Sequence, residues 1–344
     1  MSEAIVVFGG SGFVGTHLIR KLAAAGERVV SLDLKPQRET LAGVDYRIGD
    51  VRDLENFQVE GPVRRIYNFA AVHTTPGHPF WEYYDTNING AIEVTRWANA
   101  HDVPQIVFTS SISVYGPAEE VKTEASQPAP ESAYGYSKLM AESVHRIWFD
   151  ARPGRKLVVA RPAVVFGHGE RGNFTRLARL LQKGFFVYPG RKDTVKACVY
   201  VEDLLDSMDF ALAEPDAAIT YNAAYPERYT LEEIVDTLRA GHFPAARTWM
   251  IPRIVVVGAA AILGRLGAFN LGIHPERVMK LVRSTDVFPA VLTGRGYRFP
   301  FNLKGGLAQW APVTDAAVCP AGAAAPRPRA RPGSGKANRP ADAF

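Results

Sequence analysis

With 344 residues, 47% of them hydrophobic and 22% charged, the chain has the composition of a globular protein with ample material for a core. Its mean hydropathy of −0.08 argues against a membrane-embedded bundle, and two distant cysteines, Cys198 and Cys319, argue against a disulfide framework or zinc site and fit a reducing cytoplasm. The net charge of +5 is mostly local: Pro320 to Phe344 holds Arg327, Arg329, Arg331, Lys336 and Arg339 against the single acid Asp342, so the remaining chain carries about +1 and lacks the basic footprint of a nucleic-acid binder.

Met1 to Ile5 leads directly into an apolar run with no basic region and long apolar stretch, so no signal peptide is expected. Ile5 to Phe8 is short and β-branched and ends at Gly9-Gly10-Ser11-Gly12, which marks a strand. Phe13 to Ala25 then repeats Val14, Leu18 and Leu22 at helical spacing, with Gly26 as its stop. Further strands are expected at Arg28 to Leu32, Asp45 to Ile48, Arg65 to Ala70, Gln105 to Thr109 and Lys156 to Val165, with helices at Asn89 to Asn99 and Ser132 to Trp148. Strands alternating with helices imply an α/β fold with a doubly wound parallel sheet. After Gly167 the rhythm loosens. Asn173 to Lys183, Val201 to Ala213, Leu231 to Ala240, Arg253 to Leu266 and Pro275 to Val282 read as helices of a smaller mixed region that caps the carboxyl edge of the sheet, with segments crossing back. The expected division is residues 1–166, 167–313 and a disordered basic Pro/Ala-rich tail at 314–344. Ile254 to Leu263 is almost wholly apolar, but it has about half of the ~20 residues needed to span a bilayer. A buried helix is the favoured reading, and a membrane-surface or apolar-substrate element is the alternative.

Two constellations carry chemistry. Gly9, Gly12 and Gly15 sit between the first strand and the first helix. There the first glycine permits a tight turn, the second lets backbone approach a pyrophosphate, and the third lets helix and strand pack closely. Asp33 ends the next strand, where a carboxylate accepts ribose hydroxyls and repels a 2′-phosphate, favouring NAD over NADP. Tyr134 and Lys138 are four apart at the start of a helix and share a face. A cation near the phenol is expected to lower its pKa and make a general acid/base. The pair follows the strand ending Phe108-Thr109-Ser110-Ser111, at the edge where open α/β sheets bind ligands.

With these residues the chain resembles the extended short-chain dehydrogenase/reductase family, in its NAD-dependent sugar-nucleotide epimerase/dehydratase group, over roughly residues 4–310. The resemblance rests on Gly9-Gly-Ser-Gly-Phe-Val-Gly15, Gly49-Asp50-Val51, Asn68-Phe-Ala-Ala71, Asn87 in Asn-Ile-Asn-Gly90, Thr109 to Gly116, Tyr134 with Lys138, Arg161-Pro162 and Val201-Glu-Asp203. It implies a Rossmann fold, NAD as cofactor and Tyr134 as acid/base. Lys138 would bind the nicotinamide ribose, and Ser111 would hydrogen-bond the reacting oxygen. Phe13 and Val14 fall within the glycine motif, Asp50 and Val51 match the adenine-contacting pair, Ala70 and Ala71 line the cleft, and Pro162 begins the segment beside the nicotinamide. On the substrate side Asn173 resembles an asparagine near the pyrophosphate. Lys196 stands where many members carry a phosphate-binding arginine, and Arg277, on one helical face with Lys280 and Arg283, matches a nucleotide-reaching arginine. The resemblance also implies a homodimer through Asn89 to Asn99 and Tyr134 to Trp148. For Ser110, Ser113 and Asn87 a purely structural role, satisfying backbone groups, is equally open, and His73, Thr74 and Thr75 are candidates for the substrate side.

The family's 4,6-dehydratases carry an Asp-Glu pair just after the strand-five threonine; Ile112-Ser113 here removes the acid and base that elimination needs. A nucleotide-sugar epimerase using retained NAD is the leading expectation. A ketoreductase or dehydrogenase and a hydroxysteroid-type dehydrogenase remain alternatives. A non-catalytic NAD-binding module is disfavoured by the joint presence of Ser111, Tyr134 and Lys138.

Overall fold

A computed structural model describes residues 2–37, 39–74, 77–252 and 282–317, with side chains to residue 251 and from 282 to 310. Its main body is a seven-stranded sheet in the order β11-β7-β5-β4-β1-β2-β3. These strands are β1 (Ala4–Phe8), β2 (Arg28–Asp33), β3 (Val44–Ile48), β4 (Val63–Asn68), β5 (Gln105–Thr109), β7 (Lys156–Pro162) and β11 (Ala218–Ala223). Every pairing in it is parallel. A parallel sheet covered on both faces needs apolar side chains on both, which is why β1 reads Ala-Ile-Val-Val-Phe without alternation and is wholly buried. The doubly wound parallel sheet expected from the alternation is therefore present.

Helices α3 (Gly90–Ala100) and α4 (Ala133–Asp150) cover one face, where Trp97 packs on Phe57 and Phe8 at ring separations of 5.3 and 6.3 Å. The other face is covered by α1 (Phe13–Ala24) and α6 (Val201–Ala213), which Lys21 ties together through Asp206 and Asp209. Each large side chain buried in these layers contributes about 1.5–3 kcal/mol.

Several elements differ from the sequence expectation. Lys156 to Val165 is two strands, because the chain leaves the sheet at Pro162 and β8 (Val164–Phe166) pairs instead with β10 (Cys198–Tyr200). Two further parallel pairs join β9 (Phe185–Gly190) to β12 (Arg247–Pro252) and β6 (Ala118–Lys122) to β13 (Thr285–Val287). The β8–β10 and β9 strands, with α5 (Asn173–Gln182), α7 (Leu231–His242) and α9 (Leu303–Ala317), enclose a separate core built on Phe166, Phe174, Tyr188, Tyr200, Leu238 and Trp310, while Val287 of β13 packs in another cluster with Ile112 and Tyr115. Ahead of α3 stand a short helix, α2 (Phe80–Tyr84), and a π-helical turn at Asp85–Asn89. A short α8 (Ala290–Gly294) follows β13. The last four residues of α9 fall within the stretch expected to be tail; the rest of the tail and the expected helix Arg253 to Leu266 lie outside the described residues, as does all but Val282 of Pro275 to Val282.

Candidate active site

The strand order reverses between β1 and β4, and a crevice opens there beyond their carboxyl ends. The backbone builds its floor. Gly9 has φ +84°, and a Cβ on it would stand 2.6 Å from the amide nitrogen of Ala70. A Cβ on Gly15 would stand 2.3 Å from the carbonyl oxygen of Gly9. Both positions therefore require glycine, and the turn lies flat against the end of β4. Gly12 precedes α1 with no side chain capping that helix and no acid in its first turn. Unpaired N–H groups and the positive end of the helix dipole thus face the crevice, which fits a diphosphate.

Asp33, at the end of β2, accepts the Ser11 N–H through Oδ2 and the Lys35 N–H through Oδ1, both at 3.0 Å. The carboxylate therefore sits against the glycine turn. Asp50 and the buried Val51 follow β3. The Arg52 guanidinium lies 3.0 Å from both Asp50 oxygens through Nε, holding that carboxyl below the usual carboxylate range, and also reaches Asp85. Ala70 and Ala71 follow β4 and Pro162 ends β7, each partly buried on the same edge of the sheet.

Ser111 follows β5 beside the Tyr134 phenol, and its Oγ accepts the Ser113 N–H at 3.1 Å. Burial pushes the Tyr134 phenol up to about 12, with Ser111 pulling the other way. Lys138 is 2% exposed; its Nζ donates to the Thr109 carbonyl at 2.7 Å and lies 4.8 Å from the centre of the Phe108 ring. Burial brings the ammonium down to about 7. Lys138 is not among the groups that shift the Tyr134 pKa, which rises where the spacing of the pair predicts a fall. Desolvation acts on both groups, favouring the neutral phenol and the neutral amine.

The start of α4 is held by residues whose sequence motifs gave no role beyond backbone support. Within the π-helical turn, Asn87 accepts the Val72 N–H at 2.8 Å and donates to Ser137 Oγ at 2.8 Å. Ser137 in turn donates to the Tyr134 carbonyl at 2.9 Å. Asn87 thus fastens the loop after β4 to the turn that carries Tyr134. A second network was not anticipated. Arg161 grips Glu142 of α4 with two bonds of 2.9 and 2.7 Å and donates to Tyr115 Oη at 2.7 Å; Tyr115 donates to Asn222 Oδ1 at 2.9 Å. Arg161-Pro162 was visible as a motif, but its partners come from three separate parts of the chain.

The substrate-side candidates are more scattered. Asn173 is the exposed first residue of α5. Lys196 donates through Nζ to the Arg283 carbonyl, and burial lowers its ammonium to about 8. Arg283 itself pairs with Glu131 at 2.6 Å. Arg277 and Lys280 lie outside the described residues, as does Thr75. His73 and Thr74 are exposed on the loop after β4, where the Thr74 carbonyl accepts the hydroxyl of Tyr83, whose ring lies 6.4 Å from that of Tyr134. Among the described residues no cluster of His, Cys, Asp and Glu could hold a metal ion.

Residues 5–224 match the model of the NAD dependent epimerase/dehydratase family. The chain belongs to this family. It is an NAD-dependent enzyme, and the glycine turn, uncapped helix end and adjoining Asp33 fit that cofactor. It is similar, at 28% identity over 313 residues, to the N-acetyl-alpha-D-glucosaminyl-diphospho-ditrans,octacis-undecaprenol 4-epimerase of Escherichia coli O157:H7, a match covering 89% of this chain and 94% of that one. A UDP-glucose 4-epimerase of Lacticaseibacillus casei is 30% identical over 268 residues, covering 68% of this chain and 80% of its own. The fold is shared with the UDP-glucose 4-epimerase of Thermotoga maritima at a TM-score of 0.75 and 19% identity, over 92% of this chain and 99% of that one.

Proposed function

We propose that the enzyme epimerises a sugar carried on a diphosphate, with a nucleotide-sugar as the leading substrate class, by oxidising one carbinol carbon and reducing it again from the opposite side. The observation that carries this reading is the meeting of Ser111, Tyr134 and Lys138 on the same sheet edge as the glycine turn. NAD, when bound, supplies a hydride acceptor that becomes the donor for the return step. Tyr134 takes the hydroxyl proton of the substrate and later gives it back, while Ser111, beside that phenol, orients the reacting oxygen. Because the proton and the hydride both return, the reaction consumes no cofactor. The residues that follow Ser111, Ile112 and Ser113, supply no carboxylic acid for dehydration. Residues 1–166 would hold NAD, and residues 167–313 would hold the substrate through Asn173, Lys196 and Arg277.

A second carrier, a polyprenyl diphosphate, is favoured by one observation. The undecaprenol-linked relative aligns over 89% of this chain, against 68% for the UDP-glucose relative quoted. We also infer a homodimer. The outer face of α4 exposes Tyr136, Met140 and Ile147 at spacings of four and seven, and Ile92 is exposed on the adjoining α3. Such a stripe suits a four-helix seam between two copies. A cytoplasmic setting is supported by the unpaired, buried Cys198.

The deciding experiment is native mass spectrometry of the gently purified protein, followed by turnover of UDP-sugars and of a polyprenyl-diphosphate sugar without added cofactor. Bound NAD and interconversion of two epimers with no net NADH are expected. A requirement for stoichiometric added cofactor would replace the epimerase reading with the ketoreductase one.

A further inference from the structure

In the parallel ribbon formed by β9 and β12, β9 turns large side chains inward, while three consecutive residues of β12, Trp249, Met250 and Ile251, are exposed. Phe186 and Tyr188 point into the core. By alternation Phe185, Val187, Arg247, Trp249 and Ile251 share the outer face, because Phe185 is paired with Arg247, Val187 with Trp249 and Pro189 with Ile251. Trp249 is 53% exposed, Phe185 43% and Ile251 38%. Large apolar side chains gathered on one exposed ribbon are unusual for a surface with no partner.

The charge along α5 is one-sided, although α7, packed against it, carries Glu232, Glu233 and Asp236. From Arg171 to Lys183, through α5 and into the turn that enters β9, the chain has four bases and no acid. Arg171, Arg176, Arg179, Lys183 and Arg247 all lack an ion-pair partner among the described residues. Nearby cations of the same region are paired: Arg191 with Glu119 and Asp193, Lys192 with Glu232, Arg228 with Asp286. The unpaired bases and the apolar ribbon meet at one junction, where the Arg247 N–H bonds the Gly184 carbonyl at 2.9 Å and so places Arg247 beside Lys183 and Phe185. In the sequence, the ribbon is followed by the apolar stretch Ile254 to Leu263 between Arg253 and Arg265.

We propose that the junction of α5 with the outer face of β9 and β12 seats this enzyme on an anionic phospholipid surface. Aromatic and aliphatic side chains suit the boundary of headgroups and acyl chains, and unpaired Lys and Arg suit an acidic leaflet. The inference rests on the polyprenyl-diphosphate reading of the substrate, since a sugar held at a membrane surface must be met there.

Vesicle flotation of the full chain tests it. The wild-type protein should float with phosphatidylcholine vesicles containing phosphatidylglycerol, not with phosphatidylcholine alone, and added salt should release it. Arg179→Glu with Lys183→Glu, and separately Trp249→Ser with Ile251→Ser, should each weaken that binding by about tenfold or more, with bound NAD and the unfolding midpoint unchanged. Equal flotation with neutral vesicles, no flotation, or flotation indifferent to both variants overturns the proposal. So does concentration-dependent self-association that Trp249→Ser with Ile251→Ser abolishes while vesicles are ignored, which would make a second copy the occupant. Turnover of a polyprenyl-diphosphate sugar in detergent separates the two claims. Turnover without flotation removes the docking surface and keeps the substrate reading; flotation without turnover does the reverse.

Discussion

The two regions of this enzyme solve different problems with different materials. The sheet region builds its site from backbone: a helix end, the carboxyl ends of parallel strands, and a turn so close to β4 that Gly9 has no room for a Cβ. The smaller region is stitched by side chains between segments distant in sequence. Glu119 of β6 accepts both the N–H and the hydroxyl of Ser284 at 3.2 and 2.8 Å, Glu124 accepts the N–H groups of Asn222 and Ala290 at 2.8 and 3.1 Å, and Arg228 pairs with the buried Asp286. Backbone geometry dictates residue type narrowly; pairs of charges admit many substitutes. A cofactor common to a family fits the first kind of construction, and substrates that differ between its members fit the second.

The sharpest way to probe the first region is to remove its chemistry and leave its frame. Tyr134→Phe should lower turnover by roughly 10²–10⁴-fold, the scale of general acid–base catalysis, while bound NAD remains detectable by mass spectrometry. Near-normal turnover would take Tyr134 out of the proton path. The frame itself should respond to Arg161→Met, which leaves Glu142 buried without its cation and Tyr115 without a donor. A loss of about 3–5 kcal/mol in urea unfolding is expected. A loss under 1 kcal/mol would show that Glu142 is neutral or hydrated in the fold.

Lys138 links stability to pH. Its folded-state value of about 7 lies below the ordinary 10.5, so between those pH values the unfolded chain holds a proton that the folded chain has released. Stability should therefore rise with pH across that window and fall as pH drops toward 7. Lys138→Met should flatten the rise, read as the difference between wild-type and variant urea midpoints at pH 7 and pH 9. An unchanged slope would mean that the amine stays charged in the folded protein.

Much of the first region was legible in the sequence, and the reasons are physical. Two-sided burial makes β1 an unbroken apolar run, and sterics force glycine at positions 9 and 15. The second region was legible as helices only. Strands of three residues, such as β8, β10 and β13, are too short to show periodicity, and β9 finds its partner β12 about sixty residues later in the chain. Burial explains the reversed expectation at Tyr134, since a Tyr and Lys spaced by four announce a shared face but not how much water reaches it. The role of Asn87 was within reach, because an amide opposite Ser137 can bridge two segments, but only folding brings residues 87 and 137 together.

The smallest expected effect separates local from long-range stitching in the second region. Thr230 opens α7 with a reciprocal cap: its Oγ1 accepts the Glu233 N–H at 3.2 Å, and Glu233 accepts the Thr230 N–H at 2.7 Å. The adjoining Leu231 N–H bonds the Thr194 carbonyl at 2.8 Å, so the same turn also anchors α7 to the chain beyond β9. Thr230→Ala removes the side-chain half of the cap and leaves the Leu231 anchor. If the cap acts alone, urea unfolding should weaken by about 1 kcal/mol, and NAD retention should not change. A loss of about 3 kcal/mol or more exceeds what one cap supplies. It would mean that Thr230 holds the register between α7 and its neighbours, and that the second region depends on single residues as strictly as the glycine turn does.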